Sequence, residues 1–102
     1  MRLILFFDLP MVTKTEVRTY NRFRKYLIKN GYLMMQFSIY SKIFNNRDAV
    51  TNHIEILKRN VPNQGQIRIM TVTEKQYAKI DIIVGGVSIQ EETIGVNAFL
   101  KL

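Results

Sequence analysis

Five consecutive apolar residues near the start, Leu3-Ile4-Leu5-Phe6-Phe7, are cut off by Asp8-Leu9-Pro10. Side chains of a strand alternate between two faces, so a run without a polar residue must be covered on both. The run is short and ends at a turn-forming proline, which makes it a central strand and forces the rest of the chain into layers around it. With 102 residues, 47% of them hydrophobic, there is apolar material for one core, and a single domain over residues 1–102 is expected.

The remaining punctuation sets the order of elements. Thr13-Lys14-Thr15-Glu16 has the spacing of a capping box and Asn30-Gly31 supplies a stop, predicting a helix of about four to five turns between them. Residues 32–44 lack a helix breaker, and Leu33, Met35, Phe37 and Ile39 alternate with Met34, Gln36, Ser38 and Tyr40, so two consecutive strands are expected. They must bend near Gln36 to Ser38 without an Asn-Gly or Gly-Gly pair, and a bulge is one device for that. Asn45-Asn46 caps a second helix, in which Val50, Ile54, Leu57 and Val61 form a core-facing stripe before Pro62 ends it. Residues 66–73 alternate as another strand, residues 74–79 make one helical turn, and residues 80–84 read as a further apolar strand stopped by Gly85-Gly86. Residues 96–102 are a last edge strand or a tail. The order is β-α-β-β-α-β with one or two additional C-terminal strands, the α+β ferredoxin-like pattern with both helices on one face of an antiparallel sheet. The other face needs a cover, either stacked nucleic acid or a second copy of the chain.

The absence of cysteine excludes disulfides, thiolate zinc sites and cysteine nucleophiles, and it suits a reducing cytoplasm. The opening apolar run is interrupted by Asp8 and Pro10 far short of a signal peptide or a membrane span, so a cytoplasmic location is expected. Fifteen Lys and Arg against eight Asp and Glu give a net charge of +7, the footprint of a protein that meets polyanions. Most of that excess lies in one segment, where Lys14, Arg18, Arg22, Arg24, Lys25 and Lys29 face the single acid Glu16.

On the first helix Lys14, Arg18, Arg22, Lys25 and Lys29 fall within a stripe roughly 80° wide. Val17, Tyr20, Phe23, Leu27 and Ile28 take the opposing side. Charged helix faces are usually just solvated, but like charges four residues apart repel, and the lack of acidic partners points to phosphate binding with little base specificity. Asp8 stands at the end of the first strand beside a proline turn. It either stabilises that turn through nearby amides or, with a two-fold mate, forms a pair of hard oxygen ligands suited to Mg²⁺. His53 has no diagnostic partner and reads as a surface residue on the second helix; Asp81 and Glu91-Glu92 add no metal site. Tyr20, Tyr26, Tyr32, Phe37 and Tyr40 could stack on bases, though most are expected in the core. No RNA-recognition signature or glycine-rich phosphate loop is present, which disfavours base reading and ATP-driven chemistry.

The run Leu3 through Pro10, the basic helix with Tyr20-Asn21-Arg22-Phe23-Arg24-Lys25-Tyr26-Leu27, Asn30-Gly31-Tyr32 and Gln36-Phe37-Ser38-Ile39-Tyr40 together resemble the CRISPR-associated Cas2 family, in the versions that accompany Cas9-type systems. The resemblance implies a homodimer of ferredoxin-like protomers, often with C-terminal strands exchanged, that bridges two dimers of the Cas1 integrase and captures duplex DNA for insertion into the CRISPR array. It also implies that Asp8 is the catalytic acid and metal ligand of a Mg²⁺-dependent endonuclease acting on RNA or DNA. The lack of a second in-chain carboxylate or general base favours the scaffold as the essential role. A stand-alone RNA-binding or toxin-like ferredoxin-fold protein is the alternative.

Overall fold

The apolar run forms the central strand, β1 (Arg2–Asp8), in a computed structural model that describes residues 1–86. Then follow α1 (Lys14–Lys29), β2 (Leu33–Gln36), β3 (Ile39–Ile43), α2 (Arg47–Lys58), β4 (Gln66–Val72) and the short α3 (Glu74–Ala78). The strands form one antiparallel sheet in the order β2-β3-β1-β4, with Leu5 opposite Tyr40 on β3 and Ile69 on β4. This is the ferredoxin-like arrangement that the order of elements predicts.

Alternation along β1 divides the molecule into two sides. Leu3, Leu5 and Phe7 join Tyr20, Phe23 and Leu27 of α1 and Val50 and Leu57 of α2 in the core. Burying a side chain such as Leu27, which is fully enclosed, contributes about 2–3 kcal/mol. Arg2, Ile4, Phe6 and Asp8 therefore lie on the face away from α1 and α2. On that face α3 buries Tyr77 under Arg2, whose guanidinium sits 3.6 Å from the ring centroid and forms a two-pronged ion pair with Glu74 at 2.9 and 2.6 Å.

Local chemistry fixes the element ends. Thr13 accepts from the Glu16 amide, and the Glu16 carboxylate accepts from Thr13 N–H, closing the capping box. At the other end Gly31 has φ +87°, Tyr32 N–H donates to Leu27 O, and Gly31 N–H donates to Ile28 O, so the helix stops in a Schellman turn. Asn46 caps α2 through the Ala49 amide. The bend between β2 and β3 falls at Phe37 and Ser38, with a register shift between Met34 and Gln36 and Ser38 at φ 67°.

Two expectations are corrected. Residues 80–84 form no strand; they follow α3 as an exposed apolar segment ending near Gly85, with Ile83 92% exposed. The outer edges of β2 and β4 are open among the described residues, and the segment pairs with neither. The helix of the Val50 stripe ends at Lys58, so Val61 packs against the core from the following loop rather than from the helix. Residues 96–102 and Glu91-Glu92 lie outside the described residues. No helix among the described residues is long and apolar enough to cross a membrane.

Candidate nucleic-acid interface and acidic cleft

Asp8 is the last residue of β1, paired in register with Gln66, and its side chain is exposed. The backbone behind it is tightly constrained: Gly65 turns with φ +83°, and a Cβ there would lie 2.5 Å from Asp8 O and 2.7 Å from Leu9 Cδ2. Among the described residues the carboxylate makes no ion pair and accepts no backbone amide, so the turn-stabilising alternative is not what it does there. It lines a hollow of about 300 Å³ with Phe6, Phe37, Ser38, Gln66 and Arg68.

The donors around Asp8 suit a hard cation in kind: one ionisable carboxylate without a competing cation partner, beside the neutral oxygens of Ser38 and Gln66. They do not suit it in number. Among the described residues no three His, Cys, Asp or Glu side chains converge anywhere, and Asp8 is the one carboxylate among those that line this hollow.

All five stripe residues, Lys14, Arg18, Arg22, Lys25 and Lys29, are exposed on α1, opposite its buried Tyr20, Phe23 and Leu27. Glu16 forms no ion pair with any of them among the described residues. Its carboxylate accepts from Thr13 N–H at 2.8 Å and Val12 N–H at 3.1 Å, and the Thr13 bond above all lowers its pKa. Arg24 points elsewhere and donates to the Tyr40 hydroxyl at 3.1 Å. The stripe looks outward from the helix layer and Asp8 belongs to the other side of the sheet, so within one chain neither Arg18 nor Arg22 shares the hollow of Asp8. The basic residue that does is Arg68, one of the residues the sequence reading passed over. Its signal lies in the register: Arg68 opposes Phe6, one alternation from the Gln66–Asp8 pair.

His53 is corrected from surface to half-buried. Its Nε2 lies 2.6 Å from the Tyr32 hydroxyl and its ring lies 5.0 Å from that of Phe44. Burial, with Lys42 nearby, lowers the His53 pKa, while burial raises that of Tyr32. Of the aromatic residues, Tyr20, Tyr32 and Tyr40 are buried, Tyr26 is half-buried and stacked on Phe23, and Phe37 is 68% exposed at the rim of the Asp8 hollow.

Fold and surface thus define a basic ferredoxin-like domain whose first strand ends in an acid without an ion-pair partner among the described residues. A model of the family described as CRISPR associated protein Cas2 matches residues 1–80. The chain is 45% identical over 94 residues to a CRISPR-associated endoribonuclease Cas2 of Acidovorax ebreus, covering 92% of each chain. It is 50% identical over 88 residues to the protein of that name from Treponema denticola, covering 83% of this chain and 84% of the relative. A third, from Streptococcus mutans, is 49% identical over 80 residues, which are 78% of this chain and 73% of the relative. The chain belongs to the CRISPR-associated Cas2 family.

Proposed function

We propose that this chain is the DNA-holding subunit of CRISPR adaptation: a homodimer that binds foreign duplex DNA and bridges dimers of the Cas1 integrase, with a metal-dependent endonuclease site where two copies of Asp8 meet. The observation behind the holding role is the exposed stripe on α1, five cations with their one neighbouring acid committed to a helix cap. Phosphates satisfy such a surface without reading bases. The face carrying Asp8 supports pairing of copies, because Met70 and residues 82–84 leave apolar side chains exposed there and beside it. Two-fold pairing supplies the second carboxylate that one chain lacks. Mg²⁺ held between them would activate water against a phosphodiester of RNA or DNA. Asp8 would provide the charged ligand, and Arg68, which lines the same hollow, would hold the scissile backbone.

Spacer integration into a CRISPR array by purified protein, Cas1, a short duplex and Mg²⁺ tests this, with wild type and Asp8→Ala compared. Equal integration with metal-dependent cleavage abolished is the expected result. Loss of integration by a folded, dimeric Asp8→Ala protein would overturn the scaffold assignment.

A further inference from the structure

We propose that the groove between α1 and the end of α2 seats one phosphodiester strand, gripped from its two walls by Arg22 and Arg59. Hollows of about 350 and 330 Å³ run along the same side of α1 and share Thr19, Arg22, Val61 and Pro62 as walls. Arg22 projects from α1, whereas Arg59 caps the C-terminal end of α2. Both are exposed, and neither is in an ion pair among the described residues.

Between the arginines the polar lining is Thr19 and Asn60, beside apolar Val61 and Pro62, and Thr15 and Asn63 extend it into the neighbouring hollow. Guanidinium forks match phosphate two oxygens at a time, and neutral donors suit phosphate and sugar oxygens. Glu16 also lines the groove as its single acid, its Oε1 turned to the amides of Val12 and Thr13, and the two guanidinium charges outnumber it. Tyr26 is half-buried and stacks one ring face on Phe23, which leaves it a poor platform for a base. The groove therefore takes backbone. Arg22 belongs to both the stripe and the groove, so a strand held along α1 continues into it. This rests on the duplex-holding function above and adds a second wall, from an element that the stripe does not use.

The test is duplex binding by the full chain across a range of salt concentrations, read by fluorescence anisotropy of a short labelled DNA duplex. Each phosphate neutralised contributes about one unit to the slope of log affinity against log salt. Arg59→Ala should weaken binding several-fold at low salt and reduce the slope by about one unit, whereas Arg59→Lys keeps the slope. Lys58→Ala, one residue away and paired with Glu55 at 3.2 Å, should leave the slope unchanged. Arg59 makes no side-chain bond among the described residues, and an unchanged melting temperature confirms that the variant is folded. A wild-type slope in Arg59→Ala, or an equal loss in Lys58→Ala, overturns the groove while leaving the stripe intact. Absence of duplex binding by the wild type overturns the holding function itself and the groove with it.

Discussion

At Gly65 the backbone turns with φ +83°, and a methyl group there would meet the carbonyl oxygen of Asp8 at 2.5 Å. Neither neighbour is a flexible tip: one is the end of the central strand, the other Leu9, which is buried. Gly65→Ala should therefore cost about 2–3 kcal/mol, from the left-handed conformation and the clash together. Urea unfolding measures it, and a loss below about 0.5 kcal/mol would mean that the loop relaxes freely. The same substitution displaces Asp8, so any cleavage should fall by more than the loss of folded protein explains. A glycine before a strand announces a turn in the sequence, but not which carbonyl it clears. Arg2 was obscure for a similar reason: next to an apolar run it reads as a chain-start charge, and only the fold reveals that it is 3% exposed between Glu74 and Tyr77.

Contacts between elements decide how the fold responds to acid. His53 of α2 meets Tyr32, just before β2, and Phe44, just after β3, and its burial lowers its pKa from the ordinary value of 6.5. The unfolded chain then takes up a proton that the folded chain resists, so stability should decline as pH falls below 6.5. His53→Gln, which can still bond to Tyr32, should flatten that decline. Glu74, whose pKa is lowered chiefly by the Arg2 hydrogen bond, adds stability above its ordinary value of 4.5 that is lost as pH falls through the lowered folded value. Melting temperature against pH for both proteins separates the two windows, and a His53→Gln profile matching wild type from 6.5 downward would refute the assignment. Elements whose ends are set by local bonds were legible in advance, as with the Thr13 box and the Gly31 stop. Residues 80–84 were not, because an apolar run by itself does not say which sheet edge, if any, it will pair with. His53 was not, because its partners come from the segments that flank two different strands.

Across the whole molecule, the stripe and the acid occupy opposite layers. Replacing Arg18 and Arg22 together by glutamate should weaken duplex binding at least tenfold at low salt and flatten its salt dependence, while leaving residues around Asp8 undisturbed. Anisotropy titrations check this, and unchanged binding would remove α1 from the interface. The place of Asp8 at the end of the apolar run, beside a proline turn, was readable from the sequence. Its unpaired state and its neighbour Arg68 needed the sheet register. In the dimer proposed above, each chain would bring one carboxylate to the cleft and one full stripe to the duplex, and these two endowments would behave differently in a cell that expresses two alleles. A copy lacking Asp8 would spoil the cutting site of every dimer it enters, so that defect would be dominant. A copy lacking the stripe would leave its partner's stripe whole, and the loss would scale with dose.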